Sequence, residues 1–203
     1  MNQKIRDFFE HHEGRRNDVY KDSTGFRIVG IGHLLDATQT PDELEVLGCR
    51  QDEVHLILSI TDEQIDKLFD IDYTEAFEDA QDFFGDIWHE FSEVRQCVIV
   101  SQIFQLGYGG FRKFRNMIFA MRALDWERAA KESLDSVAAK QTPERWQMQA
   151  NMLVNNTWDG KRTQSPLQRD TEVVSEHEVP VEERLSILEA AVKELQEWRV
   201  RTT

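Results

Sequence analysis

Apolar residues recur at helical spacing near the start of the chain. Ile5, Phe8 and Phe9 lie three and four positions apart, so a helix would carry them on one face. Gly14 then supplies the residue type that commonly follows the end of a helix. The pattern therefore predicts an amphipathic helix over residues 3–13.

The pattern changes to β-forming residues between residues 18 and 35. Residues 19–20 and 26–29 are rich in Val, Ile, Tyr and Phe. Between them, the Ser-Thr-Gly sequence at residues 23–25 has the composition of a turn. Two short β-forming runs joined in this way predict a β-hairpin or a small sheet.

Helical patterns dominate the rest of the chain. Residues 36–59 are acidic and less regular, but Thr61 followed by Gln64 forms a capping box that opens a helix reaching about residue 81. Further helices are predicted near residues 86–91, 93–106, 115–123, 125–135 and 143–156. A mostly helical chain with one small sheet near its N-terminus belongs to the α+β class.

The C-terminal part has a different composition. Residues 161–180 are polar and bounded by prolines, which predicts a linker. A last helix is predicted over residues 181–203, with a short heptad seam of Val181, Leu185, Leu188, Val192 and Leu195. Two interpretations of this helix are open: it packs back on its own domain, or it forms a short coiled coil or docks on a partner.

The chain is strongly acidic, with a formal net charge of −14. Nucleic acid is a poor partner for such a surface, because binding to phosphates depends on clustered Lys and Arg. No run of eighteen apolar residues is present, so no membrane insertion is expected. Charges throughout the first fourteen residues favour synthesis without a signal peptide.

The cysteines and histidines give no support for a metal site. Cys49 and Cys97 are the two cysteines of the chain, and they form no CxxC motif. The six histidines form no HxxH or HExxH motif. We therefore expect reduced cysteines that are buried or incidental, and no bound metal.

Six motifs in a fixed order carry a resemblance to a known family. They are EGRRNDVYKD, TGFRIVGIGHLL, ITDEQIDKLFDID, IFQLG, QTPER and NTWDG. The first motif begins with Glu13 and ends with Asp22, two acidic residues nine positions apart. Over about residues 3–160, the chain resembles the phage-type lysozymes, or muramidases, of the T-even phage kind.

This resemblance implies a lysozyme-like domain of two lobes over residues 1–160. A small β-containing lobe would cover about residues 14–62, and a linking helix would follow over about residues 61–81. The helical lobe would cover about residues 82–160 and include the N-terminal helix. The predicted linker and the C-terminal helix lie beyond this domain.

The resemblance also implies a catalytic pair. Glu13 would act as the general acid, and Asp22 would stay ionised and orient the attacking water. In an inverting glycosidase, the two carboxyl groups stand about 6.5–9.5 Å apart to leave room for that water. Arg145 resembles the Arg that forms an ion pair with the catalytic Glu.

Further positions match residues that support the site in the family. His33 and Asp72 resemble a structural ion pair between the hairpin and the linking helix. The cleft-lining positions that contact the sugar chain correspond to Gly32, Leu34, Phe104 and Gln105. No cofactor is implied for this chemistry.

The chain departs from the family at one active-site position. The family has a Thr or another hydroxyl residue six positions after the Asp, and Ile28 stands there in this sequence. That hydroxyl helps to hold the attacking water, and an alkyl side chain offers no hydrogen bond. The loss of one positioned contact can reduce a rate by about 10²-fold or more.

Two functions therefore remain open. The first is a muramidase that cleaves the glycan strand of peptidoglycan, as an endolysin acting in the periplasm or cell wall, or as an enzyme carried in the phage virion. It would be synthesised in the host cytoplasm. The second is a lysozyme fold with impaired catalysis that serves as a structural or docking component of a phage particle. Residues 181–199 would then contact a phage structural protein or a second copy of the chain.

Overall fold

A computed structural model of the protein describes residues 2–22 and 24–161. These residues form α-helices, two 3-10 helices and a three-stranded antiparallel sheet near the N-terminus, so the α+β prediction is confirmed. Almost all of the predicted linker and the entire C-terminal helix, with its heptad seam, lie outside the described residues. Among the described residues, no helix combines the length and the apolar character that crossing a membrane requires.

The chain divides into two compact units. The first consists of Met1–Trp88 and Ile99–Phe111, and the described part of the second consists of His89–Val98 and residues 112–161. The N-terminal helix belongs to the first unit. The division into a β-containing lobe, a linking helix and a helical lobe stays a prediction.

Helix α1, Gln3–Glu13, has the predicted bounds. Its Phe9 ring is fully buried and lies 5.4 Å from the Phe69 ring and 5.1 Å from the Phe104 ring, measured between centroids. Gly14 ends the helix with a φ of 77°, and its N–H donates to the carbonyl of Glu10. This packing fixes the end of α1 within the first unit.

Two arginines add ionic contacts between α1 and the long helix α3, Asp62–Phe84. Arg6 donates to Asp66 at 2.8 Å and to Asp70 at 3.0 Å. Arg15, which follows α1, donates to the same Asp66 carboxylate at 2.7 Å. Because these groups are partly exposed, each pair contributes little by itself, but the shared carboxylate makes a network.

The sheet contains β1, Arg16–Lys21, β2, Arg27–Gly30, and β3, His33–Leu34, in that order. The predicted hairpin is confirmed, and β3 adds a short third strand to it. The register places Tyr20 opposite Ile28, and Ile28 opposite Leu34. Directly opposed residues in a ladder point to the same face, so these three side chains form a row across the sheet.

The region predicted to be irregular contains α2, Pro41–Leu47, and a 3-10 helix, Gln51–Leu56. Thr40 and Glu43 form a capping box at the start of α2, and this signal is present in the sequence. The helix was missed because seven residues are too few to establish a hydrophobic period. Helix α3 begins with the predicted Thr61–Gln64 capping box and continues three residues beyond its predicted end, to Phe84.

The remaining elements follow the predicted order. A 3-10 helix, Gly85–Glu90, takes the place of the helix predicted near residues 86–91. The α-helices that follow are α4, Glu93–Phe111; α5, Arg115–Arg122; α6, Trp126–Leu134; α7, Val137–Gln141; and α8, Pro143–Asn155. Helix α4 carries a kink at Gly107, and the short α7 was not predicted.

Aromatic contacts build the core of the second unit. The Phe114 and Trp146 rings are stacked, with centroids 5.6 Å apart. The Arg95 guanidinium lies 4.3 Å from the centroid of the Trp126 ring, and its Nε donates to the carbonyl of Leu153 at 3.0 Å. These contacts join α4, α6 and α8, and the cation–π contact satisfies a buried charge without a carboxylate.

Gln102 is a polar residue in an apolar environment, and this generates a prediction about stability. Its side chain is fully buried, and within the described part of the chain neither amide atom has a hydrogen-bond partner. An unsatisfied buried polar group costs about 1–3 kcal/mol. We therefore expect Gln102→Met, which keeps the volume, to raise the free energy of unfolding in urea by about 1 kcal/mol or more.

Gln147→Met provides the matched control. Gln147 is an exposed helical residue, and its amide donates to Asn151 at 3.2 Å. The same substitution at this surface position is expected to change the unfolding free energy by less than about 0.5 kcal/mol. A Gln102→Met variant that is less stable than the wild type would contradict the prediction.

Candidate active site

Glu13 is the last residue of α1, and the chain bends close to it at Gly32. Gly32 has a φ of +79°, a conformation that L-residues rarely adopt. A Cβ atom built on Gly32 would lie 3.4 Å from Oε2 of Glu13 and 3.2 Å from Cε1 of Phe104. The structure thus brings together three residues that the sequence assigned to the site, and a glycine is what permits their close approach.

Asp22 follows β1 and closes the turn between β1 and β2. Its Oδ1 accepts from the N–H groups of Thr24 and Phe26, each at 2.9 Å. The Thr24 hydroxyl lies 2.8 Å from both carboxylate oxygens and donates its one hydrogen to them. The carboxylate is therefore held in a defined position by its own turn.

These hydrogen bonds set the ionisation of Asp22. The Thr24 hydroxyl is the largest contribution that lowers the pKa of Asp22, and the N–H groups of Phe26, Thr24 and Gly25 lower it further. All of these donors stabilise the charged form. The carboxylate of Asp22 is consequently ionised at neutral pH and is suited to orient a water by accepting a hydrogen bond.

Two faces of the sheet have different environments. Val29 and His33 are buried on one face. The opposite face carries Tyr20, Ile28 and Leu34, of which Leu34 is 38% exposed. Asp22 lies two residues after Tyr20, beyond the last paired residues of the ladder, and its N–H donates to the Phe26 carbonyl. Ile28, which stands in the position of the family's hydroxyl residue, therefore lies on the open face, and Asp22 lies in the turn that joins β1 and β2.

His33 lies in a buried hydrogen-bond network. Its Nδ1 is 2.9 Å from Oδ2 of Asp72, and its Nε2 is 2.7 Å from Oε1 of Gln39. The Gln39 amide nitrogen donates to the carbonyls of Leu34 and Ala37, which fixes its oxygen towards His33. Both ring nitrogens therefore face acceptors, and this arrangement favours the imidazolium form of His33.

The charges around His33 agree with this assignment. Burial by itself would lower the pKa of His33, but the hydrogen bond and charge of Asp72 raise it, with further contributions from Gln39 and Glu43. The net result is a pKa above the ordinary value for histidine. The Asp72 contact joins β3 to α3, as the resemblance implied for this pair.

His33, Glu43 and Asp72 also have the composition of a possible metal site. One potential ligand atom from each lies within 4.8 Å of the others. However, Nδ1 and Nε2 of His33 each lie within hydrogen-bond distance of an acceptor, and Oε2 of Glu43 accepts from the N–H of Thr40. A metal ion would have to displace a proton that this network stabilises, so the arrangement fits a protonated histidine better than a metal ligand.

Two further residues implied by the resemblance are placed as follows. Gln105 follows Phe104 in α4 and is half-buried. Arg145 lies in the first turn of α8 and is 9% exposed. Arg145 belongs to the second unit, so its pairing with Glu13 stays a prediction.

Sequence reasoning missed several residues that shape the site. Thr24 and Gln39 position Asp22 and His33, and Tyr20 is the cross-strand partner of Ile28. The Asp-Ser-Thr-Gly sequence contains a signal for the first, because Asp side chains commonly accept from the N–H two residues later. Gln39 has no comparable local signal, because its contact with His33 depends on the path of the loop between β3 and α2.

The α+β fold, mostly helical with a small N-terminal sheet, is that of a lysozyme-type domain. The sequence profile of the family described as "Phage lysozyme" matches residues 10–154. The chain belongs to the phage lysozyme family, and the resemblance drawn from its motifs is confirmed. Lysozymes as a class are glycoside hydrolases.

Individual relatives come from a phage and from a eukaryote. The pre-baseplate central spike protein Gp5 of Enterobacteria phage T4 is 32% identical over 148 residues, which cover 70% of this chain and 26% of Gp5. Two probable T4-type lysozymes of Dictyostelium discoideum are each 25% identical, over 71% of this chain and 90% of their own length. The chain thus spans about a quarter of the phage relative and most of the two amoebal ones.

The His33–Asp72 contact predicts a stability that depends on pH. Asp72→Asn leaves the buried imidazolium without its counter-charge, which costs about 3 kcal/mol at about pH 6. Because the pKa of His33 is raised in the folded protein, this stabilisation is complete below about pH 6.5 and is lost as the pH rises through the raised value. Urea unfolding of both proteins between about pH 6 and pH 10 should therefore show a shrinking difference.

Asp79→Asn on the same helix is the control. Burial and the charges of Asp82 and Glu78 raise the pKa of Asp79, and these neighbours repel it. Removing this charge is not expected to destabilise the protein between about pH 6 and pH 10. A difference between Asp72→Asn and the wild type that stays constant over this pH range would show that His33 is not the titrating group.

Proposed function

We propose that the protein is a muramidase that hydrolyses the β-1,4 bond between N-acetylmuramic acid and N-acetylglucosamine with inversion. In this proposal Glu13 is the general acid and Asp22 is the carboxylate that orients the attacking water. Family membership supports the reaction class. The observation that supports the division of roles is the hydrogen-bonded turn around Asp22, which lowers the pKa of that carboxyl group.

The two carboxyl groups have environments suited to different tasks. Asp22 accepts hydrogen bonds from Thr24 and Phe26 that stabilise its charged form, so it is a poor proton donor. Glu13 lies beside the Gly32 backbone, and Phe104 packs against the same glycine. Pairs of carboxyl groups in unlike environments are the usual arrangement for this chemistry.

The proposed reaction proceeds in one displacement. Glu13 donates its proton to the glycosidic oxygen as the bond from that oxygen to the anomeric carbon breaks. A water held by Asp22 attacks the same carbon from the opposite face and transfers its proton to Asp22. The product therefore carries the inverted anomeric configuration, and the protons return through solvent.

The remaining residues would bind or support the glycan. Gly32, Leu34, Phe104 and Gln105 are proposed to line the binding cleft, and Leu34 lies on the open face of the sheet. Arg145 is proposed to pair with Glu13 and so to hold the acid in place. His33 and Asp72 would act indirectly, because they anchor the strand that follows Gly32.

A structural role in a phage particle is the second candidate. Ile28 removes the family's hydroxyl, and the Asp22 carboxylate is already engaged by its own turn. The relative Gp5 is by its name a pre-baseplate central spike protein. The lysozyme-like residues 1–160 contain 17 basic and 29 acidic residues, and this charge disfavours free diffusion onto an anionic cell wall. These features favour a domain held in a virion, whether or not it is catalytic.

A digest of purified peptidoglycan tests the enzymatic proposal. The wild type is expected to release fragments with muramic acid at the reducing end, detected by mass spectrometry. Glu13→Gln is expected to reduce the rate by at least about 10³-fold, because the general acid is lost. Glu10→Gln, three residues earlier on the same helix, serves as the control and should retain activity.

Ile28→Thr separates the two functions. An active wild type that gains less than about tenfold from this change would support a muramidase that tolerates Ile28. A silent wild type that becomes active with Ile28→Thr would support the structural role. Silence from both proteins would overturn the enzymatic proposal.

We also propose that residues 181–199 associate with a second copy of the chain or with a phage structural protein. The heptad seam predicts that Leu188→Glu places a charge in the contact, whereas Ser186→Glu changes a position outside the seam. If the chain self-associates, light scattering should show a mass above that of the 23.8 kDa monomer, reduced by the first substitution and unchanged by the second. A monomeric wild type would exclude self-association.

A further inference from the structure

Tyr20 carries a hydroxyl directly across the sheet from Ile28, which stands where the family has a hydroxyl residue. Tyr20 on β1 and Ile28 on β2 are direct partners in the antiparallel register. Direct cross-strand partners have Cβ atoms about 4.5–5.5 Å apart and point to the same face. The phenol of Tyr20 therefore lies on the open face that carries Ile28, and Tyr20 precedes Asp22 by two residues.

The position of the Tyr20 ring is fixed from one side by Arg16. The Arg16 guanidinium lies 4.5 Å from the ring centroid, a cation–π contact on the same strand. Tyr20 is half-buried, so its ring also has protein packing to hold it. A hydroxyl on a ring held in this way has a defined location and little conformational freedom left to lose.

The electrostatic environment connects this hydroxyl with both proposed catalytic groups. Burial raises the pKa of Tyr20, the Arg16 charge lowers it, and the charges of Glu13 and Asp22 raise it, for a net increase. The phenol therefore stays protonated at neutral pH, and the charges of both carboxylates favour that protonated form. A protonated phenol can donate one hydrogen bond and accept another, which is what a residue that holds a water must do.

We propose that Tyr20 is a positioning residue that supplies, from the neighbouring strand, the hydroxyl that Ile28 lacks. Its phenolic oxygen holds the attacking water together with Asp22, so that the water's lone pair faces the anomeric carbon. This inference rests on the proposed muramidase function. It explains how a chain with an isoleucine at residue 28 retains an ordered nucleophile.

Tyr20→Phe tests this role because it removes the oxygen and keeps the ring, its packing and its contact with Arg16. We expect kcat on soluble peptidoglycan fragments to fall about 10–100-fold with little change in KM, since the water is ordered in the transition state more than the glycan is bound. A role limited to packing would leave kcat unchanged. Thermal unfolding of the variant, within a few degrees of the wild type, establishes that the fold is intact.

Rescue from the opposite strand is the second measurement. The double variant Tyr20→Phe with Ile28→Thr returns one hydroxyl to the same face, and its kcat is expected to recover to within about tenfold of the wild type. Tyr108→Phe is the matched control, because Tyr108 is 40% exposed, lies in α4 and donates to Asp82 at 3.2 Å. That variant should have the kcat of the wild type.

The outcomes separate this inference from the proposed function. Equal kcat values for wild type and Tyr20→Phe overturn the role of Tyr20 while the muramidase stands. Loss of activity without rescue by Ile28→Thr also overturns it, because the hydroxyls are then not equivalent. A wild type that is inactive until Ile28→Thr is introduced shows that Tyr20 does not replace the hydroxyl, and inactivity of both overturns the proposed function itself.

Discussion

The buried contact between His33 and Asp72 is the interaction on which the geometry of the site depends. It joins the last strand of the sheet to α3, and Gln39 completes it from the loop that follows. Gly32 directly precedes His33, so the same contact determines where the chain passes Glu13 and Phe104. An apolar pair would be less costly to bury than the His33–Asp72 pair. The hydrogen bond of the charged pair, however, fixes the direction of β3 relative to α3.

Asp22 shows how one carboxylate can be required by both the fold and the chemistry. The groups that close its turn, Thr24 and Phe26, are the same groups that keep it ionised. A substitution that weakens the turn would therefore also change the acidity of the site, even without contact with a substrate. The turn and the proposed catalytic group therefore cannot be altered independently of each other.

Much of the fold could be predicted from local patterns, and the failures have physical causes. Helix α1 and the start of α3 were predicted because a hydrophobic period and a capping box each need only nearby residues. Helices α2 and α7, of seven and five residues, are too short to show a period. Gly32 was assigned to the cleft by resemblance alone, and its approach to Glu13 was not predicted. The role suggested for Tyr20 needed the strand register, which a sequence does not reveal until the turn is known.

The pairing of Tyr20 with Ile28 has an evolutionary consequence. Two residues that are direct partners in neighbouring antiparallel strands can each place a side chain on the same part of the sheet face. Neutral drift can then remove the group from one site while the other retains it, with no change of backbone. Under the proposed role of Tyr20, the residues tolerated at position 28 depend on the residue at position 20, and the two positions form an epistatic unit. Within such a unit, the loss of a familiar active-site residue is a weak indicator of lost activity.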